Sequence, residues 1–156
     1  MDLRLNMWEN PIAPKFTKYI NSAGKVVTES SLPRATQELV KIRASQINGC
    51  GFCLDMHTKD ASAAGETQQR LNMVAAWREA NVFTEAERAA LELAEQGTRL
   101  ADSAGVSDEV WNRAAKYYDE EQLGALVAII ALINVYNRLN VIVRMPAGDY
   151  VAGQFD

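Results

Sequence analysis

The sequence predicts an all-α protein, and three observations carry that reading. Strand signals are nearly absent; only Gly24, Lys25, Val26 and Val27 suggest a short extended piece. Helix start and stop residues recur along the chain. The longest apolar run, "LGALVAIIALI" from Leu123 to Ile133, reads as a buried helix.

The elements follow in order. Pro14 to Ile20 reads as a short helix in an otherwise weakly patterned N-terminal region. Ser31 to Pro33 opens "PRATQELVKIRASQIN", with Leu39, Ile42, Arg43 and Gln46 at helical spacing. Asn48-Gly49 closes it, as a glycine in the left-handed conformation would. A helix over Gly51 to Ala64 stops at Gly65. Thr67 caps the next, through Leu71, Val74 and Trp77 to about Glu79.

"TEAE", Thr84 to Glu87, has capping-box spacing and starts a helix reaching Arg99. Ser107 caps another that carries Val110, Trp111 and Tyr118. The final helix starts near Glu120 and runs to about Val143, with Pro146 beyond it and a turn-like tail, "AGDYVAGQFD". The expectation is one all-α domain over residues 1–156, a bundle of six or more helices with its core at 31–146. The circumference of Leu123–Ile133 suits either the central helix of a monomer or burial between subunits.

The bulk numbers exclude some partners. A net charge of −4 and a pI near 5.1 argue against nucleic acid, and no basic stripe is present. The N-terminus "MDLRLNMWEN" lacks the pattern of a secretory signal. A membrane span needs about twenty apolar residues, and the longest run meets Asn134, Asn137 and Arg138 instead. No membrane partner and a cytoplasmic location are therefore expected. In that compartment a Cys-x-x-Cys pair is more often catalytic or metal-binding than structural.

Both cysteines and the only histidine fall within "CGFCLDMH", Cys50 to His57. On a helix, Cys50, Cys53 and His57 share roughly a 100° arc, with Cys53 and His57 on adjacent turns. A helix N-terminus stabilises negative charge on the Cys50 sulfur. An imidazole one turn from Cys53 is placed to take its proton. Two cysteines so spaced close a disulfide with little backbone movement, which suits a cycle of thiolate attack followed by internal disulfide formation.

A histidine base needs a partner on its other nitrogen. Asp55 and Asp60 point to other faces. Glu38, twelve residues before Cys50, is the better candidate if the helix pair joined at Asn48-Gly49 folds back. Packing cysteines are one alternative. A zinc site formed by Cys50, Cys53, His57 and Glu38 is another, although structural zinc sites usually draw on two separated ligand pairs. Glu38 pairing with Lys41 or Arg43 on a solvated face is a third. Asn134, Asn137 and Arg138 are read as partners for a neighbouring helix or subunit. Trp8, Trp77 and Trp111 are read as core or interface aromatics.

Glu38, eleven residues, then Cys50-x-x-Cys53-x-x-x-His57 resembles the signature of alkyl hydroperoxidase D-like (AhpD-like) proteins of the carboxymuconolactone decarboxylase superfamily. The likeness extends through "ELVKIRASQINGCGFCLDMHTKDASAAGE", "FTEAERAALELAE" and "IALINVYNRLNVIVRMP". It implies an all-α homo-oligomer, commonly a trimer or hexamer. It also implies thiol-dependent reduction of a small hydroperoxide without haem or flavin, and no cofactor or metal is assigned.

By the same resemblance, Cys50 and Cys53 are the redox pair, His57 the proton acceptor and Glu38 the end of the relay. The peroxide step falls to Cys53, with Cys50 resolving, and the reductant can be a dihydrolipoyl group on a partner protein. Decarboxylase members lack the paired cysteines, so lactone chemistry is the lesser alternative. One position departs from the best-known peroxidases: Phe52 stands where they carry a second histidine.

Overall fold

The computed structural model describes residues 2–155. These form seven α-helices and two 3-10 turns, with no strand among the described residues. α1 spans Ala13–Thr28, α2 Arg34–Asn48, α3 Gly51–Ala63, α4 Gln68–Met73, α5 Glu85–Thr98, α6 Asp108–Ala114 and α7 Glu120–Val143.

The local signals explain most boundaries. Gly49 adopts φ 65°, ψ 31° and closes α2; its N–H reaches the Gln46 carbonyl and the Cys50 N–H the Ser45 carbonyl. Thr67, Thr84 and Ser107 each accept a backbone N–H at the start of α4, α5 and α6. The capping box at Thr84 and Glu87 is fully formed. A second one, Asp119 with Gln122, starts α7.

Three sequence expectations change. Gly24–Val27 is not extended: it forms the last turns of α1, which a proline in its first turn helps begin and whose Val27 enters the core. α4 ends at Met73 and continues as a 3-10 turn, Val74–Ala76, rather than reaching Glu79. The Arg88 guanidinium donates to the carbonyls of Trp77, Arg78 and Ala80, satisfying groups that helical N–H donors would otherwise take. α6 stops before Tyr118, whose hydroxyl donates to the Ala86 carbonyl at 2.8 Å.

α2 is the hub, packed against α3, α5 and α7. One core cluster, including Val40, Leu93, Leu126 and Ile129, joins α2, α5 and α7. Another, including Leu39, Ile42, Trp77 and Leu91, lies beneath α3 and α4. A small third cluster holds Ala44, Cys50, Cys53 and Ile133.

α7 has 24 residues and is long and apolar enough, by length and composition, to cross a membrane. On one side it packs as a core helix. Leu126, Ile129, Ile133 and Asn137 are buried, and the asparagines find partners within the bundle. Asn48 donates to both Asn134 and Asn137 at 2.9 Å, Asn137 donates to Ser45 at 3.0 Å, and Asn134 donates to Thr98 at 3.1 Å.

The opposite face stays open and apolar, with Val127 50% and Ile142 64% exposed. One side of α7 is therefore core, and the other faces outward. Of the tryptophans, Trp77 is buried, whereas Trp8 and Trp111 lie exposed on this chain.

Candidate redox site

The site forms where the α2–α3 corner meets the end of α7. The Gly49 turn reverses the chain, so α3 lies back along α2 and Glu38 comes beside His57. Glu38 Oε2 lies 3.0 Å from His57 Nδ1. Glu38 Oε1 accepts from Lys41 Nζ at 2.8 Å, and Arg34 Nε is 3.4 Å away. Glu38 is buried. Burial alone would raise its pKa; the His57 hydrogen bond and the Lys41 ammonium outweigh that and bring it to about 2.

Glu38 is therefore a carboxylate across the neutral range and can only accept. In a neutral His57 the proton then resides on Nδ1, and Nε2 presents its lone pair. The pairing with Lys41 also forms, so the two readings of Glu38 are not exclusive. Arg43 goes elsewhere, to buried Glu95, at 2.5 Å. Asp55 and Asp60 serve the C-terminal tail. Asp55 accepts from the Gly148 and Tyr150 N–H groups, and Asp60 from the Tyr150 hydroxyl and the Gly153 N–H.

Cys50 and Cys53 are joined as a disulfide with their Cα atoms 5.4 Å apart, and both are buried. Cys50 is the N-cap of α3, and its sulfur accepts the Cys53 N–H at 3.4 Å. Cys53 lies in the first turn, four residues before His57. Phe52 between the cysteines is half-buried.

Sequence reasoning missed one neighbour: Asn140 Nδ2, in the last turn of α7, donates to Cys53 Sγ at 3.3 Å. Its helical face was legible, since 134, 137 and 140 recur at near-helical spacing, but not the element that this face meets.

With the sulfurs paired to each other and Glu38 paired to His57, the four residues of the zinc alternative are engaged among themselves. Among the described residues no group of three or more His, Cys, Asp or Glu is placed to hold a metal ion. A cleft of about 190 Å³, lined by Arg34, Glu38, Leu39, Ala61 and Glu66 among others, opens beside the Glu38 carboxylate.

The sequence profile of the carboxymuconolactone decarboxylase family matches residues 14–96. The chain belongs to the carboxymuconolactone decarboxylase family. Within that family it is AhpD-like. It is 46% identical over 141 residues to the uncharacterised protein YdfG of Bacillus subtilis, covering 90% of this chain and 94% of that one.

Among solved structures it resembles ATU0492 of Agrobacterium tumefaciens, a protein of unknown function described as a candidate antioxidant defence protein AhpD. The TM-score is 0.88 and the identity 31%, over 96% of this chain and 100% of that one. The debrominase Bmp8 shares the fold alone, with a TM-score of 0.78 and 22% identity, over 87% of this chain and 73% of that one.

Proposed function

We propose that this family member reduces small organic hydroperoxides with the Cys50–Cys53 pair, as an antioxidant enzyme of the cytoplasm. The observation that carries the reading is the Glu38–His57 contact, one helical turn from Cys53. In the reduced enzyme, His57 Nε2 takes the Cys53 thiol proton while Glu38 holds the ring by Nδ1 and stabilises the imidazolium. The Cys53 thiolate attacks the peroxide. A sulfur–oxygen bond forms, the oxygen–oxygen bond breaks, and the leaving alkoxide takes the proton from His57 to become an alcohol. Cys50 then attacks the Cys53 sulfenic acid and expels its hydroxyl group, which leaves as water, closing the disulfide.

An external dithiol, such as a dihydrolipoyl group on a partner protein, restores the thiols by exchange. The position of Cys50 at the helix N-cap favours its leaving as a thiolate in that exchange. General thiol–disulfide exchange without a peroxide step is the second reading, and Phe52, in place of a further imidazole, favours it. The exposed apolar face of α7 supports assembly into a homo-oligomer, a trimer or hexamer.

The test is thiol titration with mass spectrometry on dithiothreitol-reduced protein, before and after one equivalent of an alkyl hydroperoxide. Both thiols should vanish with a loss of about two hydrogens in mass, since disulfide closure removes one from each sulfur. Two intact thiols after excess peroxide would refute the peroxidase reading.

A further inference from the structure

The two sulfurs of the redox pair have different hydrogen-bond donors. The free N–H of the helix start, that of Cys53, is aimed at Cys50 Sγ rather than at its own residue's sulfur. Cys53 Sγ takes its donor from α7, through Asn140 Nδ2. A disulfide sulfur carries no proton and can only accept, so the amide N–H group, not the amide oxygen, faces it.

The amide is held in place from both sides. One turn earlier on the same face, Asn137 and Asn134 are tied to Asn48 at the end of α2. That fixes the register of α7 against the helix leading to Cys50. One turn later, Arg144 adopts the left-handed conformation at φ 58°, and the Asn140 carbonyl accepts the Met145 N–H at 2.9 Å. Helix α7 therefore ends with Asn140 in its last complete turn, beside α3.

The need for such a donor follows from the surroundings of Cys53. Its sulfur is fully buried in a cluster with Ala44, Cys50 and Ile133. Burial among apolar groups disfavours a thiolate. The helix N-terminus, the usual compensation, is spent on Cys50.

We propose that Asn140 is a catalytic residue that stabilises the Cys53 thiolate and then the sulfenic acid formed from it. This deepens the proposed function and rests on its assignment of the peroxide step to Cys53. The amide neither gains nor loses a proton. Its bond to a neutral disulfide sulfur is weak; when the disulfide opens, the same N–H meets a full negative charge and the bond becomes charge-assisted. During peroxide attack the new oxygen on Cys53 takes over as acceptor.

The test uses the full chain with Cys50→Ser, reduced with dithiothreitol, so that Cys53 is the only thiol. Asn140→Ala removes the amide; Asn140→Asp keeps the shape and places an acceptor against the sulfur. Thiolate formation is followed by ultraviolet absorbance across pH, and reactivity by iodoacetamide. Loss of one charge-assisted hydrogen bond should lower the thiolate fraction near neutral pH by about tenfold in Asn140→Ala, and further in Asn140→Asp. A residue with only a packing role would leave the titration midpoint unmoved.

Circular dichroism establishes folding, and the half-buried alanine variant decides the matter if the aspartate variant fails to fold. An unchanged midpoint in folded Asn140→Ala overturns the proposal. A shifted midpoint in protein whose wild type consumes no hydroperoxide would retain the Asn140–thiolate contact and discard the peroxidase reading.

Discussion

Replacing Glu38 with glutamine isolates one buried charge whose value follows from its surroundings. The carboxylate is buried, yet its pKa falls from the ordinary 4.5 to about 2, because His57 and Lys41 outweigh the cost of burial. At about 1.4 kcal/mol for each tenfold change in proton affinity, that fall corresponds to about 3 kcal/mol of stability. The folded-state pKa is depressed. The contribution is therefore complete above the unfolded value of 4.5 and disappears as pH falls toward about 2.

Glu38→Gln keeps the shape but loses the charge. In urea titrations of the oxidised protein near neutral pH, the variant should be less stable than wild type by about 2–3 kcal/mol. Other carboxylates are also held low: burial alone would raise Glu95 and Glu87, but Arg78, Trp77 and Arg43 around Glu95, and Arg70 and Thr84 around Glu87, together outweigh it. Both proteins will therefore lose stability in acid. The diagnostic quantity is the difference between them, which should shrink through the window from 4.5 down to about 2. A difference that stays constant across that window would show that the cost of the variant comes from packing, and would remove the electrostatic account of the Glu38–His57 contact.

Three further outcomes are expected. His57→Ala should slow peroxide consumption and iodoacetamide alkylation near neutral pH by about a hundredfold without unfolding the chain; unchanged rates would exclude the proton-acceptor role. Gly49→Ala should cost about 1–2 kcal/mol in urea titrations, because the left-handed conformation penalises any Cβ although no atom lies within 4 Å of it; full wild-type stability would mean that the turn is not strained. Light scattering at micromolar concentration should report several chains, and a charge at half-exposed Val127 should reduce that number, whereas a charge at buried Ile129 should unfold the protein; a wild-type mass of one chain would refute assembly.

The features legible in the sequence were those set by near neighbours. Thr67, Thr84, Ser107 and Gly49 marked helix ends because a cap acts within four residues. The His57–Glu38 contact was reachable because a single turn separates their helices. Val26 and Val27 misled because β-branched residues favour strands in isolation, whereas here α1 packs its Val27 into the core against tertiary neighbours. The carbonyls of Trp77, Arg78 and Ala80, where the helix does not continue, are taken by Arg88, eight to eleven residues on. Asn140 meets Cys53 across 87 positions, and no local pattern encodes such a contact.

The amide clasp between α2 and α7 has a consequence for how the sequence can vary. Asn48, Asn134, Asn137, Ser45 and Thr98 match donor to acceptor across the bundle interior. Replacing one strands the group it served, at a cost of about 1–3 kcal/mol for a buried orphan, while replacing interlocked members together with apolar residues of like shape need cost little. These positions should therefore drift as a set: relatives should keep the whole group of amides or none of it, and a chimera that takes α7 from one kind and α2 from the other should fold poorly however similar the two parents are elsewhere.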